Sequence, residues 1–187
     1  MKKIIVALDL LFIGNSLSAQ TNYTLNNSKS TLTIEGTSTI HDWESEAEKV
    51  TGEAVLELSD NELINISSLA FKVEVKSIKS GKRIMDSKTK DALKEKSNPE
   101  IIFKLDTIEN LTADSVSAKG TLNIAGKTNE VILNAAYSIG PDGSISINGS
   151  QPIKMTDYNI DPPTAMMGTM KTGDDVTVIY NVLYTKN

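Results

Sequence analysis

The sequence contains no cysteine. That excludes a disulfide framework and a thiolate metal site, so stability has to come from packing and strand pairing. Histidine is almost as scarce. His41 is the only one in the chain, and a zinc site built on it would need carboxylates at ligand spacings, which the sequence does not offer. No apolar run reaches the roughly 20 residues that a helix needs to span a bilayer. The net charge is −5 and the lysines are scattered, which argues against a nucleic-acid partner, since phosphate binding needs a basic face. Walker-type loops and dinucleotide fingerprints are also missing. No nucleophile elbow accompanies the pair His41-Asp42, which reads as a polar strand end or turn. The acid pairs Asp157 with Asp161 and Asp174 with Asp175 fall in loop segments and read as solvated turns. The sequence therefore assigns no catalytic residue, no metal and no cofactor.

What is present begins with an address. Lys2 and Lys3 precede a short run from Ile4 to Ile13, apolar except for Asp9, and then the small residues Gly14, Ser16, Ser18 and Ala19. This is the pattern of a Sec-type secretory signal peptide. It predicts residues 1–19 as a removable leader and residues 20–187 as one mature domain, periplasmic in a Gram-negative bacterium or secreted. Asp9 weakens the apolar core of that leader. No cysteine follows the run, so no lipid can be attached there.

The mature chain alternates. Leu32, Ile34 and Gly36 share one face of a strand, as do Ala54, Leu56 and Leu58. Leu69, Phe71, Val73 and Val75 make the cleanest run, with mostly charge on the other side. The same period returns at Ile101, Phe103 and Leu105, and at Val116, Ala118, Gly120, Leu122 and Ile124. It continues at Val131, Leu133, Ala135, Tyr137 and Ile139, then at Ile145, Ile147, Gly149, Ile153 and Met155. The last run is Val176, Val178, Tyr180, Val182 and Tyr184. These make about eight strands. Asn26-Asn27-Ser28, Asp60-Asn61, Gly126-Lys127 and Gly140-Pro141-Asp142-Gly143 punctuate them as turns. Such links are too short for parallel crossovers, so the strands form an antiparallel meander. One amphipathic helix is predicted from Ile84 to about Lys96, ended by Asn98-Pro99. The stretch from Thr156 to Asp174 holds Pro162-Pro163, Gly168, Gly173, Met166, Met167 and Met170. It reads as a stiff, apolar loop folded against the strands.

The fold class is therefore mainly all-β. Eight amphipathic strands can form a two-sheet sandwich or a closed up-and-down barrel, and closure alone removes exposed edges. A barrel of that size is either filled by its own side chains or holds one small ligand. The small inward residues Gly36, Ala54, Ala118, Gly120, Ala135 and Gly149 either leave room or face large neighbours, and the sequence does not choose between these. Long strands suit an extended chain, so the predicted ligand is a long apolar lipid. Alternation gives its lining as Leu32, Ile34, Leu56, Leu69, Phe71, Val73, Ile101, Phe103, Leu122, Ile124, Leu133, Tyr137, Met155, Val178 and Tyr180, with Trp43, the single tryptophan, at the mouth. Met85, Leu93, Met166, Met167 and Met170 are predicted to gate that mouth, since methionine repacks easily around variable chains.

Five segments in order carry a resemblance. They are Gly36-Thr37-Ser38-Thr39-Ile40-His41-Asp42-Trp43, then Val75-Lys76-Ser77-Ile78-Lys79-Ser80-Gly81 leading to Met85-Asp86 and Leu93, then Asn98-Pro99-Glu100-Ile101-Ile102-Phe103. Gly120-Thr121-Leu122-Asn123-Ile124-Ala125-Gly126-Lys127-Thr128 is the most specific, and Lys154 to Gly168 completes the set. Together the chain resembles the YceI-like family of periplasmic polyisoprenoid- or lipid-binding proteins, in a Bacteroidetes form. The resemblance implies an extended, lipocalin-like barrel with an inserted helix. It also implies a tunnel for an isoprenoid, quinone-like or fatty-acyl chain, and no enzymatic activity. Many members carry an Arg-Asp pair at the helix start. Here Ile84-Met85 separates Arg83 from Asp86, which puts that pair's role in question. The competing reading is a solid-core, stress-linked or adhesive β-domain acting through its surface. A weaker one is an enzyme with His41 as base. Self-association as a homodimer is left open.

Overall fold

The computed structural model describes residues 20–165 and 168–187. The predicted leader, residues 1–19, and the gate candidates Met166 and Met167 lie outside the described residues. The strands are β1 (Gln20–Leu25), β2 (Thr31–Ser38), β3 (Trp43–Ala47), β4 (Val50–Ser59), β5 (Glu62–Glu74), β6 (Ile78–Lys79), β7 (Glu100–Leu111), β8 (Ser115–Ile124), β9 (Lys127–Ile139), β10 (Ile145–Lys154), β11 (Thr164–Ala165) and β12 (Met170–Lys186). The helix α1 (Arg83–Ala92) lies between β6 and β7.

Every pairing is antiparallel, and the pairings close a ring. β4, β5, β7, β8, β9, β10 and β12 follow one another, and β12 returns through β1 to β4. The molecule is thus a closed eight-stranded antiparallel barrel with one helix. The sandwich alternative is excluded, because neither sheet edge is left open along that ring.

Three staves of the barrel are broken in the middle. β1 and β2 lie end to end along β12, Leu25 opposite Tyr184 and Thr31 opposite Asn181. β3 and β4 lie end to end beside them, as do β5 and β6 beyond. Asn26-Asn27-Ser28, expected to turn between two strands, is therefore a break within one stave. The breaks sit level, and polar side chains stitch them. The Asn27 amide donates to the Glu48 carbonyl at 3.0 Å and accepts the Val50 N–H at 2.6 Å. Ser77 accepts the Lys49 N–H at 3.1 Å and donates to the Glu74 carbonyl at 2.7 Å. Ser30 accepts the Leu183 N–H at 3.0 Å. Groups orphaned by interrupting the ladder are thus satisfied locally, as buried backbone requires. Val75, expected at the end of a strand, falls in the short 3-10 turn Val75–Ser77 of this belt and is buried there.

The other elements follow from local chemistry. Asp60 and Asn61 both have positive φ, the left-handed pair of a two-residue hairpin. Ala125 and Gly126 do the same between β8 and β9, one residue earlier than expected, so Lys127 already belongs to a strand. α1 ends at Ala92, four residues before the predicted Lys96, because Lys94 turns left-handed at φ 55° and Pro99 follows. β12 begins at Met170 rather than Val176. The expected loop is shorter, since β11 pairs with its start and Thr39 binds across to Lys171. Its two earlier anchors, Tyr158 and Ile160, are buried against Phe103, Leu122, Ile124 and Ala125. At one end of the barrel, called here the mouth, stand α1, the β2–β3 hairpin and this loop.

Candidate functional site

The barrel interior is hollow at the mouth and nearly solid beyond it. The mouth encloses a cavity of about 730 Å³, within the usual size for small-ligand sites. Ile34, Ile78, Ile101, Ile124, Ile153, Met155 and Val178 supply much of its apolar wall, and Trp43, Tyr158 and Met170 close its sides. A second apolar cavity of about 70 Å³ lies deeper, bounded by residues such as Leu69, Leu105, Leu133, Ala135 and Val182. The two share no lining residue. The change-over falls between Leu32 and Ile34, Phe103 and Ile101, and Tyr180 and Val178. Each pair is two residues apart on one face of one strand, so the partition is a single layer of side chains. Phe71 and Phe103 stack in it with ring centroids 5.3 Å apart. The Tyr180 hydroxyl anchors its ring by donating to the Asn134 carbonyl at 3.3 Å.

The inward glycines explain how this layer fits. A Cβ on Gly36 would collide with the Trp43 ring. One on Gly120 would lie 2.6 Å from Phe103, and one on Gly149 2.5 Å from the Tyr180 hydroxyl. These three glycines leave no open room, because aromatic rings lie over them. Ala118 and Ala135 do border the deep cavity, whereas Ala54 is packed in the core.

Most of the residues predicted to line the interior fall on one of the two walls. Ile34, Trp43, Ile101, Ile124, Met155 and Val178 border the mouth cavity. Leu32, Leu69, Phe71, Phe103, Leu133 and Tyr180 border the deep one. Leu56, Val73, Leu122 and Tyr137 touch neither and are packed solid. Their side chains point inward as alternation requires, but at levels where neighbours fill the space. Tyr137 corks the far end, donating to the Thr112 carbonyl at 2.6 Å. Of the gate candidates, Met85, Leu93 and Met170 border the mouth cavity.

α1 is unusual in having no buried residue. Its residues Met85, Thr89 and Ala92, with Leu93 just after it, border the mouth cavity, and Ala92 and Leu93 also pack against the cluster around Phe103 and Tyr158. The helix is held at its start. The Asp86 carboxylate accepts the Ser80 N–H at 2.8 Å and the Ser80 hydroxyl at 2.7 Å. These bonds hold its carboxyl below the usual range. Asp86 thus fixes the helix through Ser80, not through Arg83. At its other end the Lys94 ammonium donates to the Asn159 carbonyl at 3.3 Å.

Ser38, Lys82, Lys88 and Thr89, to which sequence reasoning gave no role, border the mouth cavity together with His41 and Arg83. His41 contacts the Asp42 carbonyl through Nδ1 at 2.9 Å. Burial pushes the phenols of Tyr180 and Tyr184 up, so both stay protonated and uncharged inside the barrel. Among the described residues no cluster of three or more His, Cys, Asp or Glu could hold a metal, and no helix is long and apolar enough to cross a membrane.

A family model described as a YceI-like domain matches residues 23–183. Among solved structures, Burkholderia cenocepacia BcnA superposes with a TM-score of 0.72 at 17% identity, covering 86% of this chain and 99% of that one. A polyisoprenoid-binding domain from Saccharophagus degradans, implicated in plant cell wall breakdown, gives 0.70 at 13% identity, covering 88% and 98%. A Campylobacter jejuni YCEI protein gives 0.60 at 19% identity, covering 76% and 84%. A search of curated proteins finds no match. At these identities the likeness to the solved structures shows a common fold.

Proposed function

The chain belongs to the YceI-like domain family, and from that premise we propose that it binds the apolar chain of a long lipid, polyisoprenoid or fatty-acyl, inside its barrel. The observation that carries this reading is the mouth cavity of about 730 Å³, walled by isoleucine, valine, methionine and aromatic side chains and reaching the surface beside α1. The polyisoprenoid-binding domain among the structural neighbours supports the choice of ligand class. A solid-core domain acting only through its surface would not need a half-exposed inner wall or a helix with no buried residue.

The mechanism is passive. Each CH₂ moved from water into the cavity contributes about 0.8 kcal/mol, so ten such groups contribute roughly 8 kcal/mol before the cost of ordering the chain. No bond is made or broken, and the protein acts as a carrier rather than an enzyme. Met85, Leu93 and Met170 repack around the entering chain, and α1 moves as a lid, because none of its residues is fully buried. With the leader of residues 1–19 removed on export, the carrier works in the periplasm or outside the cell, where a lipid tail otherwise meets water.

Native mass spectrometry of the purified chain, followed by lipid extraction, tests the reading. The expected result is a protein mass raised by a bound lipid that extraction removes and that prenyl or acyl lipid restores. A protein that emerges lipid-free and takes up neither class overturns it.

A further inference from the structure

The wall of the mouth cavity is apolar in depth and cationic at its lip. Lys82, Arg83 and Lys88 border it, and no Asp or Glu does so among the described residues. This is opposite to the chain as a whole, whose net charge is −5. Residues 79–96, which contain α1, hold seven Lys or Arg against three Asp or Glu, a local charge of +4. The nearest carboxylate in the first turn, Asp86, is occupied by both donors of Ser80. None of the five ion pairs among the described residues uses Lys82, Arg83 or Lys88. All three are exposed, so their aliphatic stems can line the cavity while their charges stay in water.

We propose that the lipid carries an anionic headgroup, phosphate or carboxylate, which these three cations hold at the mouth while its tail fills the cavity. The inference rests on the lipid-binding reading and sharpens it by naming the ligand's charge. The interior fixes the orientation. No charged side chain borders the deep cavity, so the head stays at the lip and the tail enters first. Arg83 supplies a planar fork of donors suited to phosphate or carboxylate oxygens, and the two lysines add point charges. His41 and Ser38, on the β2–β3 hairpin, border the same cavity and offer further polar contacts to the head.

The test uses tail-matched pairs on the delipidated full chain. Geranylgeranyl phosphate is compared with geranylgeraniol, and palmitate with hexadecanol, by quenching of Trp43, which borders the cavity and is the only tryptophan. The expected result is that the anion binds on the order of tenfold tighter than its alcohol in at least one pair, from three contacts of modest strength each. The pair that shows it tells a prenyl phosphate from a fatty acid as the source. That preference weakens with added salt. In the variant Lys82→Met/Arg83→Met/Lys88→Met, which keeps the apolar stems, the ratio of anion to alcohol affinity falls towards one. Equal binding of anion and alcohol in both pairs overturns the headgroup inference and leaves lipid binding standing. Binding of none of the four overturns both.

Discussion

Asn27 shows how much one polar residue can hold in this barrel. Its side chain joins two staves where both are interrupted, serving the Glu48 carbonyl and the Val50 N–H together. Val50 is buried, so water cannot readily replace the lost acceptor. Asn27→Ala is expected to lower stability by about 1–3 kcal/mol, the cost of leaving buried backbone groups unpaired, and urea unfolding measures it. Asn27→Asp, which keeps the acceptor and loses the donor, should fall between the two. A loss below about 0.5 kcal/mol for the alanine variant would show that the belt closes without it. Residues like this were hard to find in the sequence. Asn26-Asn27-Ser28 has the composition of a hairpin turn, and only the paired register along β12 shows that the chain runs straight on. The lining was more legible. Alternation placed every predicted lining residue of the strands on the inward side, but it holds no information on depth. Leu56 and Val73 therefore looked the same as Ile34 and Val178, although only the latter two meet open space. Lys82 and Lys88 were invisible for the opposite reason, and Arg83 was read only against Asp86, since charge on a helix reads as a solvated face unless the cavity beneath is known.

Among the elements, α1 is the one whose stability depends on what the barrel holds. None of its residues is fully buried, and its apolar stripe borders the cavity and meets the core only at Ala92 and Leu93, so in the unfilled protein packing holds it mainly at its C-terminal end. Hydrogen exchange should find its amides among the least protected of the regular elements, and protection should rise when a lipid fills the cavity. Asp86→Ala should reduce that protection further by releasing Ser80, with little effect on the barrel strands. The same contact gives the helix a pH dependence. The folded carboxyl of Asp86 has its pKa lowered by Ser80, so the unfolded chain binds the proton first as acid is added. The contribution is therefore complete at neutral pH and is lost as pH falls below about 4 and on through the lowered folded value. Uniform exchange across α1 and the strands, unchanged by lipid, would mean that the helix is a fixed wall. The long strands were readable because each keeps one wet and one dry face for many residues. β1, β3 and β6 were not, because each is a short piece of a broken stave whose partner segment carries most of the alternation.

For the whole molecule, the decisive feature is that closure and hollowness do not coincide. The barrel closes through β1 and β4 at the far end and is unpaired between β6 and β7 at the mouth, and its open volume lies almost entirely on the α1 side of the layer formed by Phe71, Phe103 and Tyr180. A tail that fits the mouth cavity stops at that layer, and a longer one must displace a ring to reach the deep cavity. Of the three rings, Phe71 can be removed at least cost. Phe103 is almost fully buried and lies over Gly120, and Tyr180 is bonded to Asn134, whereas Phe71 is only half-buried. Phe71→Ala should therefore join the two cavities and lengthen the preferred tail. Measured across a series of saturated acyl chains, affinity in the native protein should stop rising at a limiting length, and in the variant should go on rising by several carbons. The substitution should also cost stability, up to the roughly 3–5 kcal/mol seen for buried phenylalanine, so the lengths are compared at a temperature where both proteins are folded. If the limiting length is the same in both, the aromatic layer is not what ends the site. The tail would then have to leave by another route, and the opening between β6 and β7 beside α1, where the ring has no strand pairing beyond Glu74, is the exit the topology offers.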